Sequence, residues 1–449
     1  MKKIFSVLIC IAFSICSLAQ TEGYAFSSVG IRIYDVSASV LAEVNRIPDK
    51  EKRLAQIDCS TLSQSDFNGV IAKLKWAKKL SIEKSSGLID DINAVGKLKD
   101  LEVFHMSNFT TTQNPISLAP LRDLTALKEL IISDSQISGA DTLRTLVNLQ
   151  SVSFENSDIN TLGFLASMPQ LEKLNIAGKH HTFQNYDTLR TLTDLRSLDI
   201  SENPQATTEN VEAFSDFTML TNVRIASCPL SSLSFLYSSA SRLQTFDASS
   251  CPNIANFDLL MRASKLKKVN ISNTAAKTIT FAKNKVDLKD LRLANTEVES
   301  IEALASSINL EWLDISNTKV QDISALAGMT KLKRLLMSHC SAVADVKALS
   351  GCESLKVFDC SHSQLASIDG LERCTNLSVI DLSYTMVTDL KPLFSAKKIE
   401  RLTLDKANAQ QVQLDVLKKR SPLIIINLRS EVVEEPKATE EPPAEEEGE

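Results

Sequence analysis

The sequence predicts an α/β solenoid, a right-handed stack of short coils with a curved parallel β-sheet on its concave face and short turns or 3-10 helices on its convex face. Two observations carry this. A phrase of the form L-x-x-L-x-[apolar] recurs along the chain, with clear starts at Leu101, Leu127, Leu149, Leu171, Leu195, Leu220, Leu243, Leu266, Leu288, Leu310, Leu332, Leu355, Leu377 and Ile399. Weaker starts fall at Leu54, Ala77 and Leu423, and the spacing of 22 to 26 residues gives about seventeen coils. A fixed period of this length marks a repeat array, in which one unit buries its apolar face only against the next. Composition is the second observation: aromatic residues make up 5% of the 449, so Leu and Ile must build the core.

The elements follow in order. Residues 1–19 read as a secretory signal: Lys2 and Lys3 precede an apolar run that ends in the small residues Ser17 and Ala19. The run is short for a membrane-spanning helix, so the sequence predicts export, to the cell surface, the periplasm or the medium. Lipidation at Cys16 is the rival reading, and the bulky Ile15 before it argues against that processing. Residues 20–53 are expected to cap the first coil, and residues 54–429 to form the repeat array. Residues 430–449 hold nine Glu and one Lys, a composition expected to stay disordered and to act as a solubilising end. Without that tail the net charge of −6 becomes slightly positive, so no basic excess exists to hold a nucleic-acid backbone.

Within one coil, Leu310, Leu313 and Ile315 point inward around a short strand, and Val320, Ile323, Leu326 and Met329 close the turn. Counting the first Leu as zero, offset 8 is a small residue in coil after coil, such as Thr274, Thr296, Thr318, Ser363, Cys228 and Asn203. The chain turns sharply there, and a side chain able to bond freed backbone groups lowers the cost of burying them. The stretches DISNTKVQDISAL and DLSYTMVTDLKPL resemble the 22-residue leucine-rich repeats of bacterial internalin-like proteins, over roughly residues 54–429. The resemblance implies a leucine-rich-repeat horseshoe. It implies little about function, because the motif is structural. No immunoglobulin-like segment or sorting motif follows the last repeat.

The register explains the cysteines. Cys59 and Cys360 fall at offset 5, Cys228, Cys251 and Cys340 at offset 8, and Cys352 and Cys374 three residues before a start. All are core positions, where cysteine serves as a small hydrophobe. The pairs Cys228/Cys251 and Cys352/Cys374 occupy equivalent sites in successive coils, so disulfides there stay open. His339 and His362 share offset 7, with Cys340 and Cys360 nearby, but those thiols should point inward, away from any shared metal. His180 and His181, in a lengthened coil, read as surface-loop residues. No nucleophile, zinc or phosphate-loop motif occurs, so the sequence predicts no enzyme, no cofactor and no metal.

Strand alternation places offsets 2, 4 and 6 on the concave face. From Leu288 onward, offset 2 carries Asp290, Trp312, Arg334, Val357, Val379 and Arg401, and offset 4 carries Arg292, Asp314, Leu336, Asp359 and Asp381. An outward Trp with Arg and aligned apolar neighbours is the residue mix that dominates binding at protein interfaces. These eleven residues are therefore the candidate site for a protein ligand, from a host or from the envelope, in adhesion or recognition. Two rival readings stand. Trp312 could stack on a glycan ring while acids accept hydroxyl bonds, or it could simply lie on Arg334 as a surface cation–π pair in a scaffold without a ligand. The lengthened loops after Leu101, Leu171 and Leu195 form a second candidate surface.

Overall fold

The computed structural model describes residues 23–26, 30–48, 54–85, 87–110, 114–181, 183 and 186–429. The signal segment, the boundary at 49–53 and the acidic tail lie outside the described residues. The chain forms two compact units, Met1–Leu288 and Lys289–Glu449.

In the first unit an antiparallel strand, Tyr24–Phe26, lies on Ile31–Ile33. From Ile31–Ile33 onward the strands pair in parallel and in sequence order, through Ala55–Asp58, Lys79–Glu83 and on to Lys268–Asn270. Gly30 is needed at this start, because a Cβ there would sit 2.5 Å from the Leu54 backbone. The first turns are true helices, Ala38–Arg46 and Gln64–Lys73, the latter capped by the Ser63 hydroxyl accepting from Asp66 N–H at 3.2 Å. Most later coils with a helical turn use 3-10 segments of three to seven residues, and the last returns to an α-helix, Gln411–Arg420.

The second unit repeats one plan from Asp290–Arg292 to Ile425–Arg429, every strand parallel to the last. Leu310, Leu313, Ile315, Val320 and Leu326 are fully buried, as the repeat register requires. Trp312 N–H donates to Lys289 carbonyl at 2.9 Å, and Ile315 N–H to Leu336 carbonyl at 2.8 Å, which fixes neighbouring coils in register.

Offset 8 works as the sequence predicts. The Thr274, Thr296, Thr318 and Thr385 hydroxyls each donate to the offset 5 carbonyl of their own coil at 2.6–2.7 Å. Cys228, Cys251 and Cys340 reach instead to the offset 5 carbonyl of the preceding coil, at 3.1, 3.0 and 3.0 Å. All seven cysteines of the described chain are buried free thiols. Desolvation pushes their ionisation up, to about 12 for Cys59, Cys228 and Cys374 and about 11 for Cys251 and Cys352. They are packing residues held as neutral thiols.

Two expectations about loops need correction. His180 is exposed, but His181 is buried, stacked on Phe183 with ring centroids 5.3 Å apart and 3.2 Å from Ala177 carbonyl. Among the described residues of the lengthened coils some turn inward, whereas Asn108, Thr110, Asn114, Pro115, Glu202 and Pro204 stay exposed. Phe109, Phe183, Tyr186 and Ala206 are buried, and Tyr186 meets Phe183 and Phe214 edge-on at 5.4 and 5.2 Å.

The Tyr186 hydroxyl is buried without a hydrogen-bond partner. Tyr186→Phe removes that unsatisfied group while keeping the ring, and is expected to stabilise the protein by about 1 kcal/mol in urea unfolding. A loss of stability would mean that the hydroxyl is bonded in solution.

Candidate functional site

Except for the five-residue strand Arg401–Asp405, the strands that carry the candidate residues are only three residues long, so each offers one inward side chain between two outward ones. Parallel pairing then lines up equal offsets. One row runs Asp290, Trp312, Arg334, Val357, Val379, Arg401, and the other Arg292, Asp314, Leu336, Asp359, Asp381, Thr403. All eleven predicted residues thus stand on one sheet face of the second unit, neighbours in a row about 4.8 Å apart. Arg334 and Arg401 are exposed and the other nine half-buried.

Trp312 is held by cations on both sides. The Arg292 guanidinium lies over its ring at 3.8 Å from the centroid, and that of Arg334 at 4.8 Å. Arg292 is fixed from behind by a two-pronged contact with Asp290, Nε to Oδ1 at 3.1 Å and a terminal nitrogen to Oδ2 at 3.0 Å. Among the described residues Arg334 has no ion pair, and its guanidinium lies against the indole. Two arginines on one ring desolvate its faces, and the indole N–H is left buried without an acceptor. The cation–π pair with Arg334 is present, and Arg292 adds a second that the sequence reading missed. Arg292 sits one coil back and one column across, a diagonal neighbour that only side-chain geometry reveals.

The acidic column has a local function that the sequence also hid. Asp199, Asp247, Asp314, Asp359 and Asp381 each accept the N–H of the residue two places on, Ser201, Ser249, Ser316, Ser361 and Ser383, at 2.9–3.0 Å. The D-x-S spacing was the available signal: an Asx turn at the strand end, which Asn270 makes as well at 3.2 Å. In Asp359 and Asp381 one carboxylate oxygen, Oδ1, takes both serine contacts, and neither residue has an ion pair among the described residues. Neither Oδ2 has a hydrogen-bond partner among the described residues. Asp314 differs: desolvation pushes its carboxyl up from the ordinary range, against the pull of the Ser316 bonds and Arg292.

Beside this column runs a stack of rings. His339 lies on His362 with centroids 4.3 Å apart, and His362 on Tyr384 at 4.1 Å, all three at left-handed offset 7 positions. Desolvation, then His339 and Arg429, lowers the proton affinity of His362. No group of three or more His, Cys, Asp or Glu side chains converges among the described residues.

Solved structures share this architecture. An internalin, inlF, from Listeria monocytogenes matches at 20% identity over 81% of this chain and 93% of its own, with a TM-score of 0.56. The fold is the leucine-rich-repeat fold. A leucine-rich-repeat protein of Leptospira interrogans is similar at 16% identity over 84% of this chain and 90% of its own, TM-score 0.64. The ectodomain of the Arabidopsis receptor kinase HAESA, solved with a peptide hormone ligand, is similar at 16% identity over 92% and 72%, TM-score 0.59. No protein-family model and no curated protein matches the chain.

The leucine-rich-repeat face makes two expectations testable. In a Trp76→Phe background, which leaves Trp312 as the sole tryptophan for selective excitation, Arg334→Ala should at least double acrylamide quenching, since Arg334 is the unanchored cover. Unchanged quenching would show that Arg334 does not shield the ring. The raised Asp314 carboxyl means that the folded state binds more protons above the ordinary value of about 3.9, so its contribution to stability falls as pH rises through that window. Asp314→Asn keeps an acceptor for Ser316 and should melt higher than the parent at pH 7, with the gain vanishing below pH about 4.

Proposed function

We propose that the protein is an exported, non-catalytic binding protein that holds a protein segment on the face around Trp312, in adhesion or recognition. The observation that carries this reading is the arrangement of unpaired charge about an apolar strip. Arg334 offers a cation without a carboxylate, and Asp359 and Asp381 offer carboxylates without a cation. Leu336, Val357 and Val379 lie between and beside them, half-buried. A partner that brings an acidic group to Arg334 and a basic group to the aspartates would satisfy both while covering the strip.

Rigidity supports the same reading. Asp290 and Arg292 fix one face of Trp312 before any ligand arrives, so little side-chain freedom is lost on binding. Displacing Arg334 toward a partner's carboxylate would open the other face and the indole N–H. The HAESA ectodomain, a neighbour of similar fold, was solved with a peptide hormone ligand. Export rests on Lys2, Lys3 and the apolar run to Ala19; among the described residues no helix is long and apolar enough to cross a membrane.

The test is paired capture from host and envelope extracts by residues 20–449 and by the Trp312→Glu variant, with equal melting confirming equal folding. A partner lost at least tenfold in affinity by the variant is expected. Asp359→Asn with Asp381→Asn should weaken the same complex and flatten its salt dependence. A partner that both proteins hold equally well would move recognition off this face.

A further inference from the structure

The last strand of the second unit is unfinished. In the preceding coil, offsets 0, 3 and 5 are Ile399, Leu402 and Leu404, exposed by 2%, 0% and 1%. The same offsets in the final coil are Leu423, Ile426 and Leu428; Leu423 is 92% exposed, Leu428 44%, and Ile426 half-buried. These are core positions with no next coil above them among the described residues. Ile425–Arg429 pairs with Arg401–Asp405 on one side, and no second partner strand is described. In the first unit, by contrast, the Tyr24–Phe26 strand closes the corresponding edge in antiparallel fashion. A five-residue apolar edge strand left open is a template for pairing.

We propose that this edge is an interface between two copies of the chain, formed by antiparallel pairing of Ile425–Arg429 with itself across a twofold axis at Asn427. Backbone parity supports this occupant. Ile425 N–H donates inward to Glu400 carbonyl at 2.9 Å, so alternation turns the N–H and C=O of Ile426 and Leu428 outward. Centring the axis on Asn427 sets Ile426 opposite Leu428 of the second copy, which are the residues whose outward groups can exchange two hydrogen bonds. Both belong to the core face, so the exposed apolar positions of one copy cover those of the other. On the opposite face Asn427 meets its own amide, and Arg429 meets Ile425 rather than a second arginine. An isologous contact requires such self-complementarity, and the sequence IINLR meets it in this register.

The chain's own residues 430–449 fit less well. Beyond nine Glu they offer Val432 and Val433 as large apolar side chains, against three uncovered core positions. Charge separates the two occupants by sign. Residues 389–429 carry nine basic and four acidic side chains, net +5, so salt should strengthen a contact between two copies and weaken one with the acidic segment.

The experiment uses the full chain with single cysteines on the strand, since the native thiols of the described chain are buried. Asn427→Cys lies on the axis and should form a disulfide-linked dimer under mild oxidation. Arg429→Cys alone should not, while mixed Arg429→Cys and Ile425→Cys chains should. Light scattering should show dimerisation that salt favours, and Leu428→Arg should raise the dimer dissociation constant at least tenfold with melting unchanged. Equal cross-linking at all three positions, or none at Asn427→Cys, overturns the proposal. So does amide protection of residues 425–429 that is independent of concentration and lost in salt, which would assign the edge to the acidic segment.

Discussion

A single carbonyl at the end of each strand sets the terms for this fold. At offset 5 the chain leaves the sheet while its side chain is buried, and the carbonyl it carries must find a donor inside the coil. Threonine at offset 8 supplies one from within the coil, and cysteine supplies one to the coil before; at Ile315 both do, from Thr318 and Cys340. In the same turn offset 7 takes a left-handed conformation, with φ of 48–59° in twelve non-glycine residues from Asn108 to Tyr384. Left-handed backbone costs an ordinary residue roughly 1–2 kcal/mol, a cost repeated in coil after coil. The buried carbonyl is what the turn protects.

Once the turn is fixed, the concave face is free to vary. Each short strand presents outward positions that the core does not need, and parallel pairing stacks them into rows. The aspartates show how much of that variation is still structural. One oxygen of Asp359 and of Asp381 finishes the Asx turn, and only the second is without a hydrogen-bond partner among the described residues. A reading that counts acidic side chains on this face as binding charge would double their number of free acceptors.

The sequence made the core and the row order legible because both follow from periodicity: Leu310, Leu313 and Ile315 had to be buried, and Trp312 had to lie between Asp290 and Arg334. Side-chain choice was not legible in the same way. Nothing in the spacing says that Arg292 turns toward Trp312 rather than away, since a four-bond side chain reaches several neighbours. His181 was misread for a related reason. A lengthened coil suggests a loop that bulges outward, whereas here His181 packs inside against Phe183, next to Tyr186. The last coil was legible as one of three weaker repeat starts, at Leu423; what it exposes depends on the absence of a covering neighbour among the described residues, which no local pattern records.

The two surfaces differ in what they ask of a ligand. Around Trp312 the face is preorganised: Arg292 is anchored, the rows are rigid, and the open groups are isolated charges whose partners must match in sign and position. Such a face discriminates through charge placement, since a wrongly signed group opposite Arg334 or Asp359 is repelled where the correct one is held. At Ile425–Arg429 the open groups are backbone donors and acceptors beside uncovered core side chains, which any extended apolar strand could satisfy. Selectivity there must come from register. The pairing of Ile426 with Leu428 supplies it only when the strand meets a copy of itself reversed about Asn427. A one-residue slip would place Asn427 against an apolar neighbour and turn the core-facing side chains of the second copy to solvent.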